Sequence, residues 1–395
     1  MDARFASRVA EMRGSAIDGI DALLAGRQDI VPFAGGTPNP IDLPVAELAS
    51  VAQEVLTGSP STLSYGPARG DDELRAAVLE LADAGHETAT PDQLLITSGA
   101  LQALDITFRL LLDPGDLVIV ESPTYSDALA TLSHYEPNIR SVSVDAEGMV
   151  VEDIAKVIQE ERQPPKLLYV IPTFQNPTGR TMTLARRETL LEIADRYGAV
   201  IVEDDPYHLL RYEGDPVPSV WALDEDQTHV VAVRTFSKII APGLRVGWVF
   251  APEPILRSMI TARQGMDTCT SPLTQRIVAR FLQRGVDERL QWLKATYRRR
   301  RDTMAAALRE HFADVGADWD LPLGGYFFWL TVPEPYGTRR LLPIAIKTGV
   351  SFVPGDGFSI DGGSDNSLRL CFVAVQEGGI PDGIRRLRAA YGQLL

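Results

Sequence analysis

The stretch KLLYVIPTFQNPTGRTMTLARRETLLEIADRYGAVIVEDD (166–205) decides the fold. Its ends, KLLYVIP (166–172) and AVIVED (199–204), are short apolar runs of the kind found in strands covered on both faces. Between them LARRETLLEIADRYG (184–198) has a helical pattern. Strand, helix and strand in that order imply a mainly parallel sheet.

The pattern continues in both directions. QLLIT (93–97), LVIVES (117–122), VVAVRT (230–235) and VGWVFA (246–251) are further strand candidates. LQALDITFRLLL (101–112) has apolar residues at Leu101, Leu104, Phe108, Leu111 and Leu112, a helical spacing. Past residue 275 come a long charged helix, TQRIVARFLQRGVDERLQWLKATYRRRRDTMAAALREHF (274–312), with a break expected near Gly285, and short strands YFFWL, VSFVP and SLRLCFV. The fold class is therefore α/β: a large domain with a mainly parallel mixed sheet, plus a smaller α+β domain. The expected divisions are an N-terminal arm (1–44) grouped with the small domain, a large domain (45–285) and a small C-terminal domain (286–395). The arm reads as one or two short helices, followed by the Gly/Pro-rich loop VPFAGGTPNPIDLP (31–44).

The 395 residues suffice for two cores, and a composition 45% hydrophobic and 23% charged is that of a globular protein. The net charge of −15 disfavours nucleic acid and anionic membranes as partners. Two cysteines, Cys269 and Cys371, make neither a disulfide framework nor a metal-ligand set, and they fit a reducing cytoplasm. The first residues lack the apolar core of a signal peptide, and no apolar run approaches the ~20 residues of a membrane helix.

In such sheets ligands bind at the carboxyl ends of the strands, so the residues just after each strand carry the chemistry. In RTFSKIIAPGLRVGW (234–248), Lys238 is one of five lysines in the chain. It is either a surface lysine beside a turn or an amine activated toward an aldehyde by burial and neighbouring charge. Thr235, Ser237 and Arg245 around it suit a phosphate. In EDDPYHLL (203–210) the acids can be solvated, bind a metal, or supply one buried carboxylate. Such a carboxylate keeps a pyridine nitrogen protonated and makes the ring an electron sink. Tyr207 follows Asp204 by three residues and can donate to a ring oxygen, as can Asn176 in the turn PTFQNPTGR (172–180). TSGALQAL (97–104) is a strand–turn–helix in which Gly99 lets the chain turn tightly and the exposed amides of Ala100 and Leu101 open a helix, a ready anion site. Tyr125 in ESPTYSDAL either packs or stacks on a planar ring. Arg369, inside an apolar strand, needs an anion: an internal partner or a substrate carboxylate. No nucleotide-binding glycine fingerprint is present.

Taken together, FAGGTPNP, YGPARGDDELR, TSGALQAL, ESPTY, PTFQNPTG, VEDDPY, TFSK, PGLRVGW and SLRLCF resemble the fold-type I pyridoxal 5′-phosphate (PLP)-dependent aminotransferases of class I/II, in particular the 2-aminoadipate and kynurenine aminotransferase branch. The motifs follow the family's order from residue 33 to 372. The resemblance implies a PLP-transferase-like large domain and amino transfer between an amino acid and a 2-oxo acid. It implies Lys238 as Schiff-base lysine and proton shuttle, Asp204 as partner of the ring nitrogen, Asn176 and Tyr207 as ring-oxygen contacts, and Tyr125 as stacking residue. Gly99, Ala100, Leu101, Gln102, Thr235, Ser237 and Arg245 resemble the phosphate cup, and Arg369 the α-carboxylate clamp with Gly36 beside it. Tyr65 would reach the phosphate of the other subunit, which implies a homodimer with shared sites.

Two departures stand out. Thr235 replaces a commoner serine. In SAIDGI (15–20), Asp18 stands where the 2-aminoadipate branch carries an arginine that grips a distal carboxylate. The expected substrate side chain is therefore basic or neutral, unless the arm has drifted and Asp18 faces water. An alternative keeps PLP but changes the outcome to that of a lyase, oxidase or cyclase. A regulator with a PLP domain behind a DNA-binding domain is disfavoured by the acidic charge and by a chain that starts at the arm.

Overall fold

The computed structural model describes residues 5–10, 12–15, 19–20, 23–24, 26–27, 29–333 and 337–394. Among the described residues the strands are β1 (Val31–Pro32), β2 (Leu94–Thr97), β3 (Leu117–Ser122), β4 (Asn138–Asp145), β5 (Gly148–Met149), β6 (Leu167–Val170), β7 (Val200–Asp204), β8 (Val230–Thr235), β9 (Gly247–Phe250), β10 (Phe327–Thr331), β11 (Val350–Ser351), β12 (Val353–Pro354) and β13 (Ser367–Cys371). An eight-stranded sheet has the order β2-β9-β8-β7-β6-β3-β4-β5. Strands β8, β7, β6, β3 and β4 run parallel, so their carboxyl ends share one edge. β9 runs against both neighbours. The sheet is the mainly parallel, mixed one expected.

β2, β3, β6, β7, β8 and β9 fall within a residue or two of the expected runs. They are buried almost throughout, because helices cover both faces. β4, NIRSVSVD, was not among the expected strands. It lies near the sheet edge, where only Val142 is buried, so its polar residues give no apolar run. The long charged segment is two helices, Pro272–Gln283 and Val286–Phe312, broken at Gly285 with φ +108°.

Two local constraints shape the edge that carries the site. Gly247 sits between Thr97 and Thr235 in the pairing. A methyl there would lie 2.6 Å from the Arg234 carbonyl oxygen and 3.0 Å from the Gly99 carbonyl carbon. Only glycine lets the 97–100 turn approach the end of β8 so closely.

The second constraint joins the arm to the C-terminal part. β1 pairs in parallel with β11, and the Cys371 amide donates to the Phe33 carbonyl at 2.9 Å. In the antiparallel sheet β10-β13-β12, Arg369 lies opposite Trp329 and Val353. The loop after β1 is thereby carried over Arg369. Among the described residues, no helix is long and apolar enough to cross a membrane.

Candidate active site

Three consecutive acids end β7, and the pleat sends them different ways. Glu203 accepts the amides of Val220 at 2.8 Å and Trp221 at 3.2 Å. It also pairs with buried Arg234 at 3.0 Å, which in turn pairs with Glu87 at 2.6 Å. Asp205 accepts the amides of Tyr207 and His208 at 3.1 and 2.9 Å. Burial raises its affinity for a proton, but the charges of His208, Arg234 and Arg187 together with the His208 hydrogen bond win, and its carboxyl stays below the usual range.

Asp205 Oδ2 is buried with no hydrogen-bond partner among the described residues, but of the three acids only Asp204 borders the open space at the sheet edge. Asp204 is 3% exposed, and its Oδ2 accepts the Tyr169 hydroxyl at 2.8 Å. Its Oδ1 is buried with no hydrogen-bond partner among the described residues. Burial pushes its carboxyl up to about 6. These acids are therefore not a solvated loop, and among the described residues no group of three or more His, Cys, Asp and Glu is arranged for a metal.

Asp204 borders a cavity of about 550 Å³ at the carboxyl edge of the sheet. Lys238, Tyr207, Asn176 and Tyr125 line it too, as do Gly36 and Arg369. Lys238 follows β8 in a short turn and its Nζ donates to the Gly36 carbonyl at 2.7 Å. Burial brings the Lys238 amine down to about 8, with the Arg369 and Arg245 charges adding to the effect. Arg369 is fully buried. Its Nη1 donates to Asn176 Oδ1 at 3.0 Å, its Nη2 donates to the Ala34 carbonyl at 2.9 Å, and it lies 4.3 Å over the Phe327 ring. With Asn176 Oδ1 engaged in this way, its Nδ2 is the donor left for a ligand.

The remaining lining residues from the sequence reading are Ala100, Leu101, Thr235, Ser237 and Arg245. The helix Ala100–Leu111 starts after Gly99 at φ +88°, and no side chain caps that end. A Cβ on Gly99 would collide with the Arg245 guanidinium. The Thr235 hydroxyl bonds to Ser237 Oγ at 2.9 Å and accepts the Ser237 amide at 3.1 Å. A helix N-terminus, two hydroxyls and an arginine converge on one place, a donor set suited to a phosphate dianion.

Three residues stand apart. The Gln102 side chain does not line the cavity: its amide donates to Asp267 at 2.6 Å and its oxygen accepts the Ser98 amide at 2.7 Å. These two bonds brace the turn between β2 and the helix. Tyr65 is 88% exposed and outside the cavity. Asp18 lies outside the described residues.

Four side chains of the site and its surround were not singled out from the sequence. Tyr169 read as one more apolar position in a strand, although a buried phenol needs a partner for its hydroxyl. Glu121, at the end of β3, accepts the amides of Ile171 at 3.0 Å and Gln175 at 3.2 Å, and burial pushes its carboxyl up to about 8. Gln175 in turn accepts both the amide and the hydroxyl of Thr178, which fixes the turn that presents Asn176. Asp127 lines the cavity two residues after Tyr125.

The model of the family described as aminotransferase class I and II matches residues 35–387. The chain belongs to this family. It is 38% identical to the aromatic-amino-acid aminotransferase 1 of Thermococcus litoralis, over 97% of this chain and 93% of that one. It superposes with a TM-score of 0.93 on the kynurenine aminotransferase of Pyrococcus horikoshii, solved with PMP and kynurenine, at 37% identity over 99% and 98% of the two chains. With the α-aminoadipate aminotransferase of Thermus thermophilus, solved with N-(5′-phosphopyridoxyl)-L-leucine, the TM-score is 0.91 at 34% identity over 99% and 97%. This aminotransferase is thus a PLP-dependent transaminase of the PLP-transferase-like fold, acting between amino acids and 2-oxo acids.

The residues present fit that cofactor. The strongest sign is the buried, unpartnered Asp204 Oδ1, an acceptor awaiting a donor such as a protonated ring nitrogen. Its folded pKa is raised, so its contribution to stability is fully present below about 3.8 and is lost as pH rises through about 6. Above that, the cofactor-free protein holds a desolvated charge. Asp204→Asn should therefore stabilise the cofactor-free protein near pH 7 by up to about 3 kcal/mol, with little gain near pH 4. Urea unfolding across that range is the measurement; midpoints that move in parallel for both proteins would contradict the argument.

Proposed function

We propose that this aminotransferase works through Lys238, Asp204 and Arg369 in one cavity and takes substrates with a basic or neutral side chain. The carrying observation is that convergence: a buried amine, an unpartnered buried carboxylate oxygen and a fully buried guanidinium share about 550 Å³. When bound, PLP supplies an aldehyde that condenses with amines and a ring that accepts electrons.

The chain's own groups do the rest. Lys238, lowered to about 8, has an appreciable neutral fraction near neutral pH. Its amine would hold the cofactor and, once freed, would take up and return a proton at the substrate Cα. Asp204 Oδ1 would keep the ring nitrogen protonated. Asn176 Nδ2 and the Tyr207 hydroxyl would donate to the ring oxygen, with Tyr125 as the aromatic neighbour of the ring. The amides of Gly99, Ala100, Leu101 and Gln102, with Thr235, Ser237 and Arg245, hold the phosphate. Arg369, beside Gly36, grips the substrate α-carboxylate as a fork. A lyase, oxidase or cyclase outcome has no observation in its favour here.

The side-chain preference rests on Asp18, which replaces a distal-carboxylate arginine of the 2-aminoadipate branch. We also read 45–285 as the large cofactor-binding domain, with 1–44 and 286–395 on the small-domain side; the pairing of β1 with β11 supports that grouping. We propose a homodimer with composite sites, to which Tyr65 of one subunit contributes at the phosphate of the other. Its 88% exposure, with Leu63 beside it also exposed, supports a covered position in an assembly. The free thiols of Cys269 and Cys371 fit a cytoplasmic setting.

Two tests follow. Borohydride treatment of the loaded protein should fix the cofactor on the peptide containing Lys238, and capture of PLP by the cofactor-free protein should speed up as pH rises through about 8. Labelling at Lys156, Lys166, Lys294 or Lys347 instead would falsify the assignment. For the dimer, Tyr65→Phe and Lys238→Ala should each be impaired, and mixing and re-equilibrating them should restore activity in heterodimers. No recovery would argue against shared sites.

A further inference from the structure

The cavity holds three cations among its described lining residues: Lys238, Arg245 and Arg369. In the functional reading above, which this inference rests on, each already has a task. None remains for an anionic group at the far end of a substrate. Arg339, another cation of the small-domain side, is exposed and paired with Asp356.

An anion is present instead. Asp127 lines the cavity in the first turn of the helix Ser126–Ser133, two residues beyond Tyr125. Its Oδ2 accepts the Tyr125 hydroxyl at 2.8 Å. Its Oδ1 accepts the hydroxyls of Ser15 at 2.7 Å and Ser126 at 3.2 Å. Three neutral hydroxyls fix the carboxylate without cancelling its charge. That charge reaches across the cavity: burial lowers the proton affinity of the Arg369 guanidinium, and Asp127 opposes the change. A carboxylate has about four acceptor positions, so about one stays open on Oδ2 among the described residues.

We propose that Asp127 is a specificity-determining residue of the amino-transfer site, rejecting side chains that end in a carboxylate and favouring side chains that end in a nitrogen donor. A second carboxylate beside it would meet like charge in a partly desolvated space with no cation left over among the described lining residues. An ammonium group would find an oriented carboxylate with room for one more hydrogen bond. The Ser15 bond ties the arm to the same oxygen pair, so the charge is held where the arm meets the aromatic wall. The argument stands on geometry and is independent of Asp18.

The test uses the PLP-loaded protein and three donors of similar length: 2-aminoadipate, norleucine and lysine. Single-turnover conversion is followed by the absorbance of the bound cofactor, and kcat/KM ratios to norleucine are compared. In Asp127→Asn, which keeps the shape and an acceptor oxygen for Tyr125, the 2-aminoadipate ratio should rise about tenfold and the lysine ratio should fall by a similar factor. Asp127→Ala should move both ratios the same way. Ser15→Ala, which loses the arm contact but keeps the charge, should leave them within about twofold. Ratios in Asp127→Asn and Asp127→Ala equal to those of the wild type overturn the inference while amino transfer itself stands, as does a Ser15→Ala variant that shifts them as much as Asp127→Asn. No turnover of any donor by the wild type would overturn the functional reading and this inference together.

Discussion

Asp204 has one oxygen bonded to Tyr169 and the other buried without a hydrogen-bond partner among the described residues. A desolvated carboxylate is costly, and a fold has two ways to relieve it: protonate the group or supply a positive partner. Burial alone drives this one toward protonation. Asp204 would instead stay ionised beside a protonated ring nitrogen, so its desolvation would be offset by that partner and would favour binding of the cofactor.

Holding such a group in place requires a rigid surround. Glu203 and Asp205, on either side of Asp204, are both held: one by Arg234 and two amides, the other through its Oδ1 by two amides and by the charges about it. That leaves the strand end no freedom to rotate a different acid inward. The turn bearing Asn176 is pinned by a second buried carboxyl, Glu121, through Gln175. Asn176 in turn orients Arg369, which also ties down the loop after β1. A chain of buried polar contacts so links three strand ends to the small sheet, and such contacts hold the site in place while Asp204 Oδ1 keeps no hydrogen-bond partner among the described residues.

Much of this was legible in sequence wherever burial is total. β3 and β8 coincide with their apolar runs because both faces are covered, and Gly285 interrupts a helical pattern where the backbone takes a positive φ. β4 was invisible because strand pairing near an edge leaves its side chains free to be polar. The strand-end rule pointed to Lys238, Asp204, Asn176 and Tyr125, each at or just after an apolar run, and all four line one cavity. The Gln102 side chain, in the first turn of a helix, bonds to Ser98 and Asp267 instead of lining that cavity. The rule missed Tyr169 and Glu121, whose importance lies in what they touch across strands, and Asp127, whose position two residues past Tyr125 reads as an ordinary helix-start acid.

The central claim is that Asp204 Oδ1 keeps the cofactor ring nitrogen protonated. Magnetic resonance of bound PLP carrying an isotope-labelled ring nitrogen measures this directly. The account predicts a protonated nitrogen in the wild type across neutral and alkaline pH, and an unprotonated one in Asp204→Asn. An unprotonated nitrogen in the wild type, or a protonated one in both proteins, would contradict it.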